Sequence, residues 1–488
     1  MGLLSLPGEL LLKIMESLRD AQDFQSLRTA ACTCKALNEI AEIYIYSVAE
    51  FFTLSPLHRF LDSTSKRPNR KRYLRDLSLL FSSPRYDCFE FSSTPALTSF
   101  PNLASFVSES PECQPHSVKG TSWKLFMDSY MRAFTQASLL REPLETPRPL
   151  RSLRSLTLHW TGVNERYWDV TPACPIFLLP ELESLEISCA RVGQGESSEW
   201  AVEQLQRYRR KTRLRSLVLT ECVVSVEALH LILSFPSALQ RLDLCERYYH
   251  HRESGSRFAV NDTDAFNRAI AQQSKSLQHL RIFCHEQFTK CEDVLALSLS
   301  KFPVLSDLQL GPFPYVRNDR PHASNLILDR PVPPALNSLV LLEYEYLNFR
   351  DSRIDMFFLD LSVEDLVKNA EARGAPFTLD VSLRNVSDFP ARFNYRRLRP
   401  TVRRLVVNFG EKFQGLQGLQ GTSARSVEPS SESSPDNPNQ ASSRLRFLTD
   451  KPQHKIPPFL HDEEPPRFVV RYDSWHPEKV LSDPYTYG

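Results

Sequence analysis

Apolar residues follow two rhythms along this chain, and the change between them divides it. In residues 5–19 Leu10, Ile14 and Leu18 recur every fourth position with Leu11 beside them, which predicts one face of an amphipathic helix. Pro7 suits the first helical turn, where its missing N–H is not needed, and Glu9 favours the positive helix start. Asp23 is placed to cap a second short helix carrying Phe24 and Leu27. Thr33 is placed to cap a third, with Leu37, Ile40, Ala41 and Tyr44 on one face. Three short helices in about 50 residues bury little on their own, so an apolar face left for a partner is expected.

Further on, the pattern L-x-x-L-x-[LI] takes over. It begins at Leu153, Leu182, Leu214, Leu239, Leu277, Leu305 and Leu336, with an outlying copy at Leu74-Leu77-Leu79. The spacing averages about 30 residues, which predicts stacked strand–helix units that bury their apolar faces against one another. Helices are expected over 122–140, 199–209, 225–235, 262–273 and 291–302, with Ser225 and Asp262 as caps. Pro149, Pro180, Pro236, Pro303 and Pro334 each stand just before a strand, where proline stops a helix and suits an extended entry.

Strand alternation assigns the faces. The last two leucines of each signature point inward, and the residues between and after them point to the concave face of the sheet. Early units place small groups there: Ser155, Thr157 and His159, then Ser184, Glu186 and Ser188, then Ser216, Val218 and Thr220. Later units concentrate Arg241, Asp243, His279, Arg281, Phe283 and Asp307, a mixed-charge patch with an aromatic that suits a protein or peptide epitope. Past the signatures, 362–374 reads as a capped helix, 376–383 and 402–408 read as strands, and RFVVRYDSWHPEKV reads as a tail that folds back as a strand. Residues 411–465 are polar and Ser/Pro/Gln-rich, so disorder is expected there.

Composition narrows the function classes. The chain has 488 residues, 59 basic and 58 acidic, and only 14 glycines against 35 prolines. A balanced charge argues against a dedicated nucleic-acid binder. Gly193-Gln194-Gly195 is a close glycine pair without the third glycine of a dinucleotide loop, since Ser198 stands there, and neither a P-loop nor a G-x-S-x-G elbow occurs. No apolar run is long enough for a membrane helix, and the first residues lack a basic region and a cleavage site, so no secretory signal is expected. The ten cysteines then read as reduced thiols of a cytoplasmic or nuclear protein.

Other clusters read as structural. Lys66–Arg72 has the look of an import signal but fits a solvated linker better, and the basic run Arg207–Arg215 suits a helix C-terminus. Cys284-His285 with Cys291, and His250-His251, lack zinc-ligand spacing, and Cys32 and Cys34 fit packing. No metal, cofactor or catalytic residue is assigned.

Two resemblances give these rhythms a meaning. LPGELLLKIMESL, then Asp23-Phe24, then TCKALNEIAEIYIY resembles an F-box of the fungal type over about residues 4–50. It departs from that pattern at Phe24, where Leu is usual, and in having no tryptophan in the third helix. The strand signatures resemble irregular leucine-rich repeats, with Cys222 at the position where Asn or Cys usually follows the strand. The fold implied is α/β: a three-helix F-box at 1–52, a linker and irregular first repeat at 53–152, a leucine-rich-repeat solenoid with a parallel concave sheet at 153–345, and an extension at 346–410. The segment 411–465 and the tail 466–488 follow.

The function implied is a non-enzymatic substrate receptor of a Skp–cullin–F-box ubiquitin ligase. It would bind the Skp-family adaptor through Leu6, Pro7, Glu9, Leu10, Ile14, Leu18, Leu27 and Leu37, and an unknown target protein through the concave patch. No nucleic acid or membrane is expected as a partner. The alternative is a repeat scaffold that acts without ubiquitin.

Overall fold

A computed structural model of the chain describes residues 6–21, 23–80, 95–110, 123–141, 148–160, 167–193, 199–220, 222–245, 263–283, 297–311, 333–344, 372–373, 378–383, 444–450 and 467–473. They form an α/β structure in two compact units, one through Leu239 and one from Gln240.

The first unit opens with three helices, α1 (Gly8–Asp20), α2 (Phe24–Thr33) and α3 (Lys35–Ile45). Glu9 lies in the first turn of α1 and Arg19 in its last, each matching the helix dipole. Asp23 caps α2 by accepting from the Ser26 N–H at 3.0 Å. Thr33 does not cap α3. It is the last residue of α2, so its hydroxyl bonds back one turn to the Thr29 carbonyl, and the extended Cys34 precedes α3 without a side-chain cap. Leu11 and Met15 of α1 meet Leu27, Leu37 and Ala41 in a small core, with Leu18, Ile40 and Tyr44 packed on its margin.

A short strand β1 (Val48–Phe51), helices α4 (Leu54–Lys66) and α5 (Asn69–Tyr73), and strands β2 (Asp76–Leu80) and β3 (Ser105–Glu109) follow. After them come α6 (Trp123–Ala137), β4 (Ser155–His159), β5 (Trp168–Val170), β6 (Ser184–Ser188), β7 (Ala190–Val192), α7 (Glu199–Gln206), β8 (Ser216–Thr220), β9 (Val223–Val224) and α8 (Val226–Ile232). Strands β1, β2, β3, β4, β6 and β8 pair side by side in parallel. The Leu74 signature is therefore no outlier. Strand β3, built on Leu103-x-x-Phe106-x-Ser108, bridges it to the later repeats in a form the leucine pattern hides.

A second parallel ladder, β5-β7-β9, was not foreseen, since runs of two or three residues leave no periodicity. Gly193 ends β7 at φ +93°, and a side chain there would collide with Ser225 and Ala228. Its role is this close approach, not phosphate binding. Ser225 caps α8 by accepting from the Ala228 N–H.

In β2, β3, β4, β6 and β8 the second and fourth residues are buried and the first and third are half-buried, while in β1 the first and third are exposed. Each fully buried leucine contributes about 1.5–3 kcal/mol, and Leu77, Leu156, Leu158, Leu185, Leu217 and Leu219 are all sealed from solvent. Alternation breaks at the fifth residue. Glu109, His159 and Ser188 lie in register at the strand ends and are fully buried rather than displayed. Phe126, Tyr130 and Phe134 of α6 join Phe106 and Trp160 in an aromatic core, with Tyr130 stacked on Trp160. Cys222 is buried, and its thiol donates to the Ile187 carbonyl of the preceding repeat at 3.5 Å.

The second unit comprises β10 (Arg241–Cys245), α9 (Thr263–Ala271), β11 (His279–Phe283), β12 (Asp307–Gly311), β13 (Ser338–Tyr344), β14 (Thr378–Leu383), β15 (Arg444–Asp450) and β16 (Arg467–Asp473). β10 to β14 pair in parallel, and β16 and β15 add antiparallel strands. The tail strand forms as expected. Strand β15 falls inside the segment expected to be disordered, where Leu445 and Phe447 alternate with polar residues. Of the helix expected over 291–302, the described part 297–302 is a bridge and a turn, not a helix. The expected elements 362–371 and 402–408, the Ser/Pro-rich stretch 411–443, and His250, His251, Cys284, His285 and Cys291 lie outside the described residues.

Candidate functional site

The helical module presents the first candidate surface. Leu11 and Met15 turn α1 inward, so the residues beside them turn outward: Leu10 is 44% exposed, and Leu6, Leu12 and Ile14 are exposed as well. Leu10 and Ile14 lie one turn apart on one edge of α1, Leu6 stands just before the helix, and Leu12 is exposed on the opposite flank, an uncovered apolar content unusual for so short a segment. Pro7 and Glu9 are exposed at the same end. Leu27 and Leu37, expected to touch a partner, belong to the core instead, where they hold α1 from behind. Leu18 lies between, partly buried against that core. The four-residue rhythm Leu10-Ile14-Leu18 marks the outward edge of the helix rather than its core stripe, which Leu11 and Met15 form.

A polar joint ties this module to α4 and α5. Glu42 of α3 pairs with Arg67 at 2.7 Å and with Arg70, whose guanidinium lies 4.5 Å over the Tyr46 ring. The Tyr46 and Ser63 hydroxyls share a hydrogen bond of 2.7 Å. Two arginines of the import-like run 66–72 are thus engaged in packing.

The open face of the parallel strands in the second unit presents the other candidate. Strand register sets Arg241, His279, Asp307 and Ser338 in one row, and Asp243, Arg281, Gln309 and Val340 in the next. Arg241 and Asp243 lie two apart on one strand, hence on one face. The Asp243 carboxylate accepts from Arg241 Nη2 at 2.6 Å and Nε at 3.2 Å. His279 Nε2 stands 3.2 Å from the other carboxylate oxygen, off the line of a hydrogen bond. Burial pushes the Asp243 carboxyl up, but the contacts from His279 and Arg241 outweigh it and hold the group below the usual carboxylate range.

Asp243 is therefore spent internally, with its side chain only 3% exposed, while Arg241 is about half exposed above it. The Arg281 Nε is buried with no hydrogen-bond partner, and Asp307 takes a hydrogen bond from the neighbouring Ser306. Phe283 closes β11 in register with Cys245 and Gly311. Of the six residues foreseen on this patch, the structure joins Arg241, Asp243 and His279 in one cluster and sets Arg281 and Asp307 beside it.

Among the described residues, no three His, Cys, Asp or Glu side chains gather at metal-ligand spacing. Cys174 is buried, which pushes its thiol up to about 12 and leaves it a poor nucleophile. No helix among the described residues is long and apolar enough to cross a membrane. The chain matches no protein-family model and no curated protein.

Proposed function

We propose that this protein is a substrate receptor of a Skp–cullin–F-box ubiquitin ligase. Its helices α1–α3 act as the F-box that docks on the Skp-family adaptor, and its parallel sheets act as leucine-rich repeats that hold a target protein. The uncovered apolar edge of α1 formed by Leu10 and Ile14, with Leu6 just ahead of the helix, carries this reading. An amphipathic helix held by its own core on one side and bare on the other fits a docking element. The parallel strands at about 30-residue spacing and the Cys222 thiol bonded back to the preceding repeat support the repeat assignment.

In this reading the polypeptide performs no chemistry. It raises the concentration of the target near a ubiquitin-loaded enzyme. The joint of Glu42, Arg67, Arg70 and Tyr46 fixes α3 to α4 and α5.

A pull-down with recombinant Skp-family adaptor tests the proposal. Wild-type protein is expected to retain the adaptor, and Leu10→Asp with Ile14→Asp is expected to lose it while keeping its circular dichroism, because both side chains already face water. A folded wild-type protein that ignores the adaptor would favour the ubiquitin-independent scaffold.

A further inference from the structure

The run from Arg207 to Arg215, in the first unit, is a third candidate surface. Arg207, Arg209, Arg210, Lys211, Arg213 and Arg215 are all exposed, while Tyr208, Thr212 and Leu214 between them are buried. Six cations within nine positions repel one another, in a chain whose 59 basic and 58 acidic residues otherwise balance. Internal contacts account for two of them. Arg207 lies 4.7 Å over the Tyr208 ring, and Arg213 pairs with Glu181 at 2.7 Å. Arg209, Arg210, Lys211 and Arg215 have no side-chain hydrogen bond or ion pair among the described residues. The helix dipole does not explain all of them either, because α7 ends at Gln206 and its field, which reaches Arg207 and Arg209, fades before Lys211 and Arg215.

Backbone geometry adds an independent observation. Arg210 has φ +56°, the left-handed region that favours glycine. Three non-glycine residues adopt it among those described, and the other two, Leu150 and Cys189, are buried side chains that pack inside. The Arg210 side chain is instead exposed, so the left-handed backbone there presents a cation to solvent.

The segment is also held in place before any partner arrives. The N–H groups of Arg209, Arg210, Lys211, Thr212 and Arg213 each bond a backbone carbonyl, reaching Gln206, Ser234, Tyr208, Phe235 and Pro180 in turn. A pre-ordered cationic edge loses little entropy on binding.

We infer that this edge binds an acidic segment of a partner protein, one rich in Asp, Glu or phosphorylated residues, through Arg209, Arg210, Lys211 and Arg215. Charge complementarity selects the chemistry. A protein segment fits better than nucleic acid, because single strands are held by stacking on exposed aromatics and the one aromatic here, Tyr208, is buried. The inference does not depend on the ubiquitin-ligase reading.

Fluorescence anisotropy of the full chain with a labelled decaglutamate peptide tests it, with a ten-nucleotide single-stranded DNA as competitor class. Arg209→Glu with Arg210→Glu and Lys211→Glu should weaken peptide binding at least about tenfold, since three exposed cationic contacts are reversed to repulsive ones. Lys66→Glu with Arg72→Glu, on the other basic run, should leave it unchanged. Arg210→Gly is the decisive second variant: peptide affinity should fall several-fold while the unfolding midpoint stays level or rises, as glycine relieves the left-handed backbone. Unchanged peptide affinity in the triple variant or in Arg210→Gly, or tighter binding of the DNA than of the peptide, would overturn the inference.

Discussion

The parallel ladders of the two units share one backbone plan and differ in what they display. In the first unit the leading row of the open face runs Val48, Asp76, Ser105, Ser155, Ser184 and Ser216, the last four small and neutral. In the second unit the same row is Arg241, His279, Asp307 and Ser338. The buried columns scarcely change: Leu156, Leu185 and Leu217 in one, Leu242, Leu280 and Leu308 in the other. The leucines therefore carry the fold, and the residues between them are free to carry recognition. Polar groups follow different fates as well. The first unit hides Glu109, His159 and Ser188 at its strand ends, whereas the second half-hides a charge cluster in mid-strand.

The largest expected effect tests the shared part of that comparison. Leu217→Ala and Leu280→Ala each empty a fully buried site and should cost about 2–5 kcal/mol by urea denaturation. A small loss at one site and a large loss at the other would deny that the two columns do the same work.

The next effect tests the divergent part. Asp243→Ala leaves Arg241 and His279 facing an empty acceptor site and should cost about 1–3 kcal/mol. Ser184→Ala, on the open face of the first unit, should stay within about 0.5 kcal/mol.

The smallest effect is a pH dependence. The Asp243 carboxyl lies below its ordinary value of 3.8, so its stabilising contribution is complete above that value and fades as pH falls through the folded carboxyl's own. The stability difference between wild type and Asp243→Asn should be constant at neutral and mildly acid pH and shrink only in strong acid. A difference that shrinks already near neutrality would place the interaction elsewhere.

Much of the architecture was legible in the sequence because leucine spacing reports burial directly. All seven signatures from Leu153 onward mark strands, and the spacing of their starts matches their parallel stacking. Strand β3 escaped because Phe106 and Ser108 replace the two inward leucines, although Phe106 fills the same buried site. The joining of Arg241 with Asp243 follows from period-two alternation, but the burial of Asp243 does not, since it depends on His279 supplied by the next strand. Leu27 and Leu37 enter the adaptor-binding set through the F-box resemblance, and their burial is not legible because a helical rhythm identifies a face without saying which way it turns. The left-handed arginine at 210 could not be read at all, since the position would ordinarily call for glycine.

The central claim is that α1 is a docking helix whose outer face waits for an adaptor. Hydrogen–deuterium exchange of the full chain, with and without recombinant Skp-family adaptor, reads this face directly. The account predicts new protection confined to α1 and its neighbours α2 and α3, with strands β4, β6 and β8 unchanged. Protection that falls on the strands and spares Gly8–Asp20, or none anywhere at saturating adaptor, would contradict it.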